Sequence, residues 1–192
     1  MRRLVSAQIR ITYFSSRHCG VMKIVLLRRM CLDRSICVFR SEYMLYCHNH
    51  PKILFEGGFL IKDKNRQGEV YERLRLKGHI PISAYIDNTK KSLIVFNTPS
   101  CWDCHGWKLG EFLAMGKAII STPITNELPY PLIHRQNIYI INSKEELYKA
   151  VDLLIEDHAL RISLEENAKA YYREYVAPEK VIESIVNKLR DI

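Results

Sequence analysis

The sequence predicts an α/β domain built on a doubly wound, parallel sheet, and two observations support that prediction. Short apolar runs that resemble buried strands occur at 52–55, 93–96, 118–121 and 138–141, and proline, glycine or polar residues bound them. Helical patterns separate several of these runs and follow the last one. Strands that alternate with helices are typical of a parallel sheet with helices on both faces, so we expect a Rossmann-like fold.

Caps and apolar spacing mark the helices. Ser143 and Glu146 form a capping box, which opens a helix whose apolar residues recur at i, i+3, i+4, i+7 and i+8 from Leu147. A helix over 107–115 is predicted to end at Gly116, a favoured residue after a helix C-terminus. Further helices are predicted over 68–77, over 159–175 and from Pro178 onward.

The first fifty residues give weaker signals. Alternating residues predict a strand within 6–14, a second strand is predicted at 22–27, and a helix is predicted over 33–48. Their charge differs from that of the rest, because residues 1–40 hold nine Lys/Arg and one Asp, which accounts for the whole net charge of +8. We therefore expect a basic N-terminal extension, or remnant of a preceding domain, over 1–50, and one domain over 51–192.

Composition limits the class of protein. Hydrophobic residues make up 47% of the 192 residues and charged residues 26%, as in a globular chain with a core. The sequence shows no apolar run of about 20 residues and no clear export signal, so we expect a cytoplasmic protein with free thiols. The basic segment suits a peripheral contact with the cytoplasmic face of a membrane. Nothing in it resembles a recognition helix, so no nucleic-acid partner is expected.

The segment 103–120 holds the residue types of a phosphate- and sugar-binding site. Two carboxylates, Asp103 and Glu111, lie eight positions apart on either side of a predicted helix start. The backbone N–H groups of 106–108 are expected to point out of that helix N-terminus, where phosphate binds readily, and Lys108 adds a charge. A carboxylate such as Glu111 accepts two O–H groups from a vicinal diol such as ribose.

This segment resembles the donor-site signature of the GT-B glycosyltransferases of the retaining group 1 family. The signature spaces two carboxylates and two glycines as Asp103, Gly106, Glu111 and Gly116 are spaced here. The resemblance covers about residues 52–190 and includes the helical C-terminal tail. It also includes a Gly57-Gly58 turn, which resembles the loop that begins the family's donor domain.

The resemblance implies the donor-binding C-terminal domain of an enzyme that transfers a hexosyl-type group, without most of the N-terminal domain that holds the acceptor site. It implies a nucleotide diphosphate sugar and an unknown glycosyl acceptor as partners, and neither a metal nor a cofactor. Asp103 and His105 would flank the donor sugar as catalytic residues, and Glu111 would hold the ribose. The substrate-binding residues would be Gly57, Gly58, Lys64, Arg66, Gly106, Trp107, Lys108, Leu109 and Glu111, with Lys62 as a further candidate cation.

Other functions remain open at this stage. A GT-B-like epimerase or hydrolase would use the same donor site, and a non-catalytic nucleotide-binding module would bind without turnover. A zinc-binding module would recruit Cys101, Cys104 and His105, with Cys47, His48 or His50 as further ligands. The C-x-x-C-H pattern at 101–105 also fits covalent haem attachment, which requires an oxidising compartment.

The last predicted helix carries an apolar stripe from Val181 to Leu189. In the resembling family this stripe would pack partly on the N-terminal domain. We therefore expect the isolated chain to expose it and to self-associate.

Overall fold

A parallel five-stranded sheet lies at the centre of the chain, whose computed structural model describes residues 9–14, 34–59, 73–100 and 103–190. The strands are β1 (Ile9–Phe14), β2 (Ile53–Gly58), β3 (Ile94–Asn97), β4 (Ala118–Ser121) and β5 (Tyr139–Ile140). The helices are α1 (Arg34–Asn49), α2 (Ile82–Lys91), α3 (Trp107–Ala114), α4 (Lys144–Glu156), α5 (His158–Tyr171) and α6 (Pro178–Arg190). A π-helical turn, Tyr172–Val176, follows α5.

The strand order is β2-β1-β3-β4-β5, and all pairs are parallel. β1 pairs with β2 over its whole length, from Ile9 opposite Ile53, and with β3 at Ile11 opposite Ile94. The predicted doubly wound α/β fold is confirmed. Because the strand order reverses at β1, the crevice that binds ligands in such folds lies between the carboxyl ends of β1 and β3.

The described residues of the first fifty, 9–14 and 34–50, are part of this domain, so the expected basic extension over 1–50 is not supported. β1 lies between β2 and β3, and α1 places Tyr43, Met44 and Cys47 in the core with no exposed surface. The Tyr43 ring stacks on Phe96 of β3 at 4.7 Å between centroids. The net charge of a segment does not report on its backbone pairing. The strand predicted at 22–27 lies outside the described residues.

Helices cover both faces of the sheet, which gives two apolar clusters. The first lies under α1 and α4 and includes Met44, Ile94, Phe96, Ile120, Leu147 and Leu154. The second lies under α3 and α5 and includes Val95, Leu109, Phe112, Ile119, Ala168 and Tyr171. β3 and β4 contribute alternate residues to the two clusters, as expected for central strands that are buried on both faces.

The helix predicted over 68–77 is not present over the last residues of that range. Residues 68–72 lie outside the described part of the chain, and Leu74–Leu76 runs beside the end of β2 instead of continuing a helix. Phe59 N donates to Leu74 O at 2.7 Å, and Leu76 N donates to Phe59 O at 3.0 Å. A Cβ at Gly58 would lie 2.4 Å from Leu74 O, so this close approach requires glycine at 58.

The predicted end of α3 at Gly116 is confirmed. Lys117 N donates to Phe112 O and Gly116 N to Leu113 O, which is the hydrogen-bond pattern of a Schellman motif. Gly116 has a φ of +59°, a left-handed conformation that favours glycine. The predicted N-cap of α4 is also present, because Ser143 Oγ accepts from Glu146 N at 3.1 Å.

The apolar stripe on α6 is exposed, as the sequence predicts. The exposed fractions of Val181, Ile182, Ile185, Val186 and Leu189 range from 39% to 66%. Whether the chain self-associates through this stripe stays a prediction. No helix within the described residues is long and apolar enough to cross a membrane.

Candidate functional site

The loop that leaves the carboxyl end of β3 carries most of the predicted site residues. Its described parts are 98–100 and 103–106, and α3 begins directly after it. Ser100 N donates to Cys104 O at 2.8 Å, and Asn126 Nδ2 donates to Asp103 O at 2.9 Å. A ring nitrogen of His105 lies 3.0 Å from Glu127 O, within hydrogen-bonding distance. These contacts hold the loop against the segment that follows β4.

Buried polar contacts fix the strand ends beneath this loop. Asn97 Nδ2 donates to Ser121 Oγ at 2.9 Å, and Ser121 Oγ donates to Thr122 O at 2.7 Å. Thr122 N in turn donates to Asn97 O at 3.4 Å. Because Asn97, Ser121 and Thr122 are all buried, the carboxyl ends of β3 and β4 are held at a fixed separation.

The N-terminus of α3 is suited to phosphate. Gly106 is the N-cap residue, with φ −71° and ψ 142°, and no side chain caps the first turn. A Cβ at Gly106 would meet no atom within 4 Å, so a ligand has room to approach the backbone here. The first N–H groups of a helix have no partner within it and attract anions. Trp107 begins the helix with 55% of its surface exposed.

Asp103 and His105 both have exposed side chains on the loop before α3. Asp103 has a φ of +54°, a conformation that Asp adopts more readily than most residues because of its short polar side chain. The structure therefore places the two predicted catalytic residues on one loop, two positions apart, beside the start of α3.

Glu111 lies in the second turn of α3 and is half-buried. Its Oε2 accepts a hydrogen bond from the Tyr85 hydroxyl at 2.7 Å, and Tyr85 lies in the first turn of α2. Sequence reasoning missed Tyr85, because a single tyrosine in a short helix carries no recognisable signal.

Other predicted site residues do not join this group. Gly57 and Gly58 are the last residues of β2, opposite Tyr13 and Phe14 of β1, rather than a turn. β1 lies between them and β3 in the sheet, and their contact with phosphate stays a prediction. The Leu109 side chain is 4% exposed and belongs to the core under α3, so it is not available to a ligand. The candidate cations Lys62, Lys64 and Arg66 lie outside the described residues.

Arg40 is a further basic residue near the carboxyl edge, and sequence reasoning did not select it. Its Nε donates to Thr98 Oγ1 at 2.8 Å, so α1 brings a guanidinium to the residue that follows β3. The contact joins residues 58 positions apart, which leaves no local pattern in the sequence.

The zinc hypothesis gains no support from the described residues. No group of three or more His, Cys, Asp or Glu side chains able to hold a metal occurs among them. Cys104 is exposed on the loop, whereas Cys47 is fully buried under α1, and Cys101 lies outside the described part. Burial raises the pKa of the Cys47 thiol, so Cys47 remains protonated and is a poor metal ligand.

Two clefts in the described part of the chain lie away from Glu111. One of about 480 Å³ is lined by His134, Tyr139 and Lys149, and one of about 280 Å³ lies among residues 124–132 and Ile140. Neither includes α3. Two features therefore identify the candidate site. They are the reversal of strand order at β1 and the residues of the loop and helix that follow β3. Residues 15–33, which follow β1 in the sequence, lie outside the described part.

Comparison with known proteins supports the fold. No protein-family model and no curated protein matches the sequence, whereas solved structures match the fold. The C-terminal domain of a glycosyl transferase group 1 family protein, LpcC, from Francisella tularensis aligns with a TM-score of 0.55 and 16% identity. That alignment covers 85% of this chain and 83% of the LpcC domain. The chain has the fold of a GT-B C-terminal domain.

Two larger proteins share this GT-B fold. A putative UDP-N-acetylglucosamine 2-epimerase from Listeria monocytogenes aligns with a TM-score of 0.57 and 14% identity over 98% of this chain. S. aureus MnaA, solved with UDP, aligns with a TM-score of 0.53 and 15% identity over 97% of this chain. The chain spans 47% of the length of each of these two proteins.

Proposed function

We propose that this chain is the donor-binding half of a glycosyltransferase and that it binds a nucleotide diphosphate sugar at the carboxyl ends of β1 and β3. The observation that carries the proposal is the position of α3. Its N-terminus, where the Gly106 N-cap makes no side-chain hydrogen bond, follows the loop from β3, and Glu111 lies one turn further on, beside the reversal of strand order. One short element thus offers phosphate-binding N–H groups and a carboxylate for a diol.

The diphosphate binds at the backbone N–H groups of 106–108 in this proposal. The partial positive charge of a helix N-terminus attracts it, and Lys108 and Arg40 add full charges nearby. As the bond between the anomeric carbon and the diphosphate breaks, negative charge grows on the leaving oxygen. Positive groups that are already in place stabilise that charge more in the transition state than in the bound substrate.

Glu111 holds the ribose and the Asp103–His105 loop borders the donor sugar. Ribose hydroxyls donate to carboxylate oxygens, and Glu111 is the half-buried carboxylate on the helix that receives the diphosphate. Asp103 and His105 are exposed at the end of the same loop, where a hexosyl group attached to the diphosphate would extend. The acceptor oxygen bonds to the anomeric carbon as the bond from that carbon to the diphosphate breaks, and the acceptor's proton passes to the departing diphosphate oxygen. The resemblance implies retention of configuration.

Sugar transfer requires an acceptor site in addition to the donor site. The chain spans 47% of the length of two proteins that share its fold. The resemblance places the acceptor site in a second domain. In this proposal the chain binds the donor, and acceptor binding requires a second domain.

An epimerase is the second candidate, because one structural neighbour is a putative UDP-N-acetylglucosamine 2-epimerase. Both activities use the same type of donor site and differ in their products. Transfer consumes an acceptor hydroxyl and releases the nucleoside diphosphate, whereas epimerisation inverts one carbon of the sugar. Nuclear magnetic resonance of the sugar after incubation distinguishes the two reactions.

The test of the proposal is thermal unfolding of the chain with UDP, GDP or ADP, for the native sequence and for Glu111→Ala. A ligand at 100 times its Kd adds roughly 2.7 kcal/mol, which raises Tm by a few degrees in a domain of this size. We expect a rise with one nucleotide and its loss in Glu111→Ala. The control is Glu156→Ala, which removes a carboxylate that is 67% exposed at the far end of α4.

The outcomes that contradict the proposal are distinct. An equal rise in Tm for Glu111→Ala would remove Glu111 from the site. No rise with any nucleotide would contradict donor binding by this chain. A rise with Zn²⁺ alone, reversed by a chelator, would favour the metal-binding alternative.

A further inference from the structure

The hydrogen bond between Tyr85 and Glu111 joins two helices at the candidate site. α2 leads into the amino end of β3, so its first turn, which holds Tyr85, lies toward the carboxyl edge of the sheet. Tyr85 N donates to Pro81 O at 3.0 Å, and Thr89 Oγ1 donates to Tyr85 O at 2.8 Å. The backbone of Tyr85 is therefore held by its own helix, which fixes the point from which the ring extends.

A second contact ties the opposite ends of the same two helices. Lys117, which follows the Schellman motif of α3, donates from Nζ to Lys90 O at 2.7 Å and to Ser92 O at 2.8 Å. These carbonyls terminate α2, and Lys117 is buried. Because two separate contacts join α2 to α3 and the residue that follows it, the separation between the Tyr85 ring and the Glu111 backbone is set by the fold.

The chemistry of the pair leaves capacity for a ligand. A carboxylate has two oxygens and about four lone-pair sites, and the Tyr85 hydroxyl occupies one site on Oε2 at 2.7 Å. A glutamate side chain loses rotamer freedom when it is ordered. A carboxylate that the protein has already ordered pays less of that cost when a diol binds to it.

We propose that Tyr85 is a positioning residue for ribose recognition, because its hydroxyl holds the Glu111 carboxylate in the orientation that accepts the ribose hydroxyls. This inference rests on the proposed function, since it concerns the same nucleotide site. It assigns Tyr85 no contact with the nucleotide. Tyr85 acts through Glu111, and its effect is confined to the part of the binding that depends on the diol.

If Tyr85 had a purely structural role, its loss would weaken the binding of nucleotides with and without the diol equally. The same chemical pair occurs between Tyr46 and Asp152, where the Tyr46 hydroxyl donates to both carboxylate oxygens at 2.8 Å. That pair joins α1 to α4, away from α3, so its loss affects stability alone. Tyr46→Phe is therefore the matched control for Tyr85→Phe, because each change deletes one hydroxyl that donates to a carboxylate.

The experiment is calorimetric titration of the chain with UDP and with 2′,3′-dideoxy-UDP, which lacks the diol. If thermal unfolding favours GDP or ADP, the matching pair of that base is used. A hydrogen bond to a charged group corresponds to about a tenfold change in affinity. We expect the native chain to prefer the ribonucleotide, and Tyr85→Phe to lose about tenfold in ribonucleotide affinity and less than about twofold in dideoxynucleotide affinity. Tyr46→Phe should leave both affinities unchanged.

Each outcome decides one claim. If Tyr85→Phe weakens both ligands equally, the role is structural and the inference is wrong. If Glu111→Ala abolishes the preference for the diol while Tyr85→Phe keeps it, the inference alone is wrong and the proposed function stands. If the native chain binds no nucleotide, both are wrong. Should Tyr85→Phe fail to fold, Tyr85→His, which keeps an aromatic N–H donor, should retain more of the preference than Tyr85→Leu.

Discussion

Tyrosine–carboxylate hydrogen bonds occur in two regions of the molecule whose surroundings differ. Between α1 and α4, the rings of Tyr46 and Tyr148 stack at 4.4 Å, and their hydroxyls donate to Asp152 and Glu42. Each of these carboxylates also has a nitrogen partner, because Lys144 Nζ lies 2.6 Å from Glu42 Oε1 and His50 Nε2 lies 3.3 Å from Asp152 Oδ1. At the carboxyl edge, the Tyr85–Glu111 pair lies beside a loop whose charged side chains are exposed.

The difference shows that the fold pairs the polar side chains between α1 and α4 with one another and keeps the Asp103 side chain exposed. Hydrogen bonds from Lys144 and Tyr148 lower the pKa of Glu42, and burial together with the Asp152 contact raises the pKa of Tyr46 to about 12. Such a network joins two helices firmly. The loop before α3 is held instead through the backbone oxygens of Cys104, Asp103 and Glu127, which leaves the Asp103 carboxylate for other partners.

The largest expected effect tests whether α1 belongs to the domain. Met44 lies on α1 and its side chain is fully buried. Met44→Ala should therefore lower the free energy of unfolding by about 2–5 kcal/mol through lost burial and an unfilled cavity. Urea denaturation followed by circular dichroism measures the change. Val38→Ala, on the same helix with 38% exposure, is the control and should cost far less. A negligible effect of Met44→Ala would favour the interpretation that the N-terminal residues form an independent extension.

Local signals explain why most elements could be predicted from the sequence. β4 has the predicted bounds 118–121, and α3 ends at Gly116 because glycine adopts the left-handed conformation that closes a helix. The position of β1 could not be predicted in this way. Ile9 pairs with Ile53, 44 positions away, and neither composition nor periodicity reports such a pairing.

The same limit applies to the candidate site. The carboxylates at 103 and 111 could be selected because their spacing within one loop and helix is a local pattern. Tyr85 contacts Glu111 across 26 positions and Arg40 contacts Thr98 across 58, so both became visible only in the folded chain. Gly58 was expected in a turn but ends β2, because a glycine required by the nearby Leu74 carbonyl and a glycine in a phosphate-binding turn look identical in sequence.

A smaller effect separates the stability of α3 from its role at the site. Gly116 has a φ of +59°, and a Cβ there would lie 3.2 Å from Glu165 O, so Gly116→Ala should cost about 1–2 kcal/mol. Because Gly116 lies beyond the C-terminus of α3, whereas the N–H groups of 106–108 lie at its N-terminus, nucleotide affinity should stay within about twofold of the native value. Gly110→Ala, where a Cβ meets nothing within 4 Å, is the control for stability. A loss of affinity that matches the loss of stability would show that the site depends on the whole helix.

The smallest expected effect is a pH dependence specific to the α1–α4 network. Because Lys144 and Tyr148 hold the folded pKa of Glu42 below its ordinary value of 4.5, the unfolded chain binds this proton first as the pH falls. The ion pair therefore stabilises the fold above about pH 4.5, and that contribution is lost as the pH drops through the folded pKa. The difference in unfolding free energy between the native chain and Glu42→Gln should shrink over that interval in urea titrations. Glu156→Gln, which alters an exposed carboxylate, should show little such change. A difference that stays constant with pH would mean that the Tyr148 hydrogen bond, rather than the charge on Glu42, accounts for the stability of this interface.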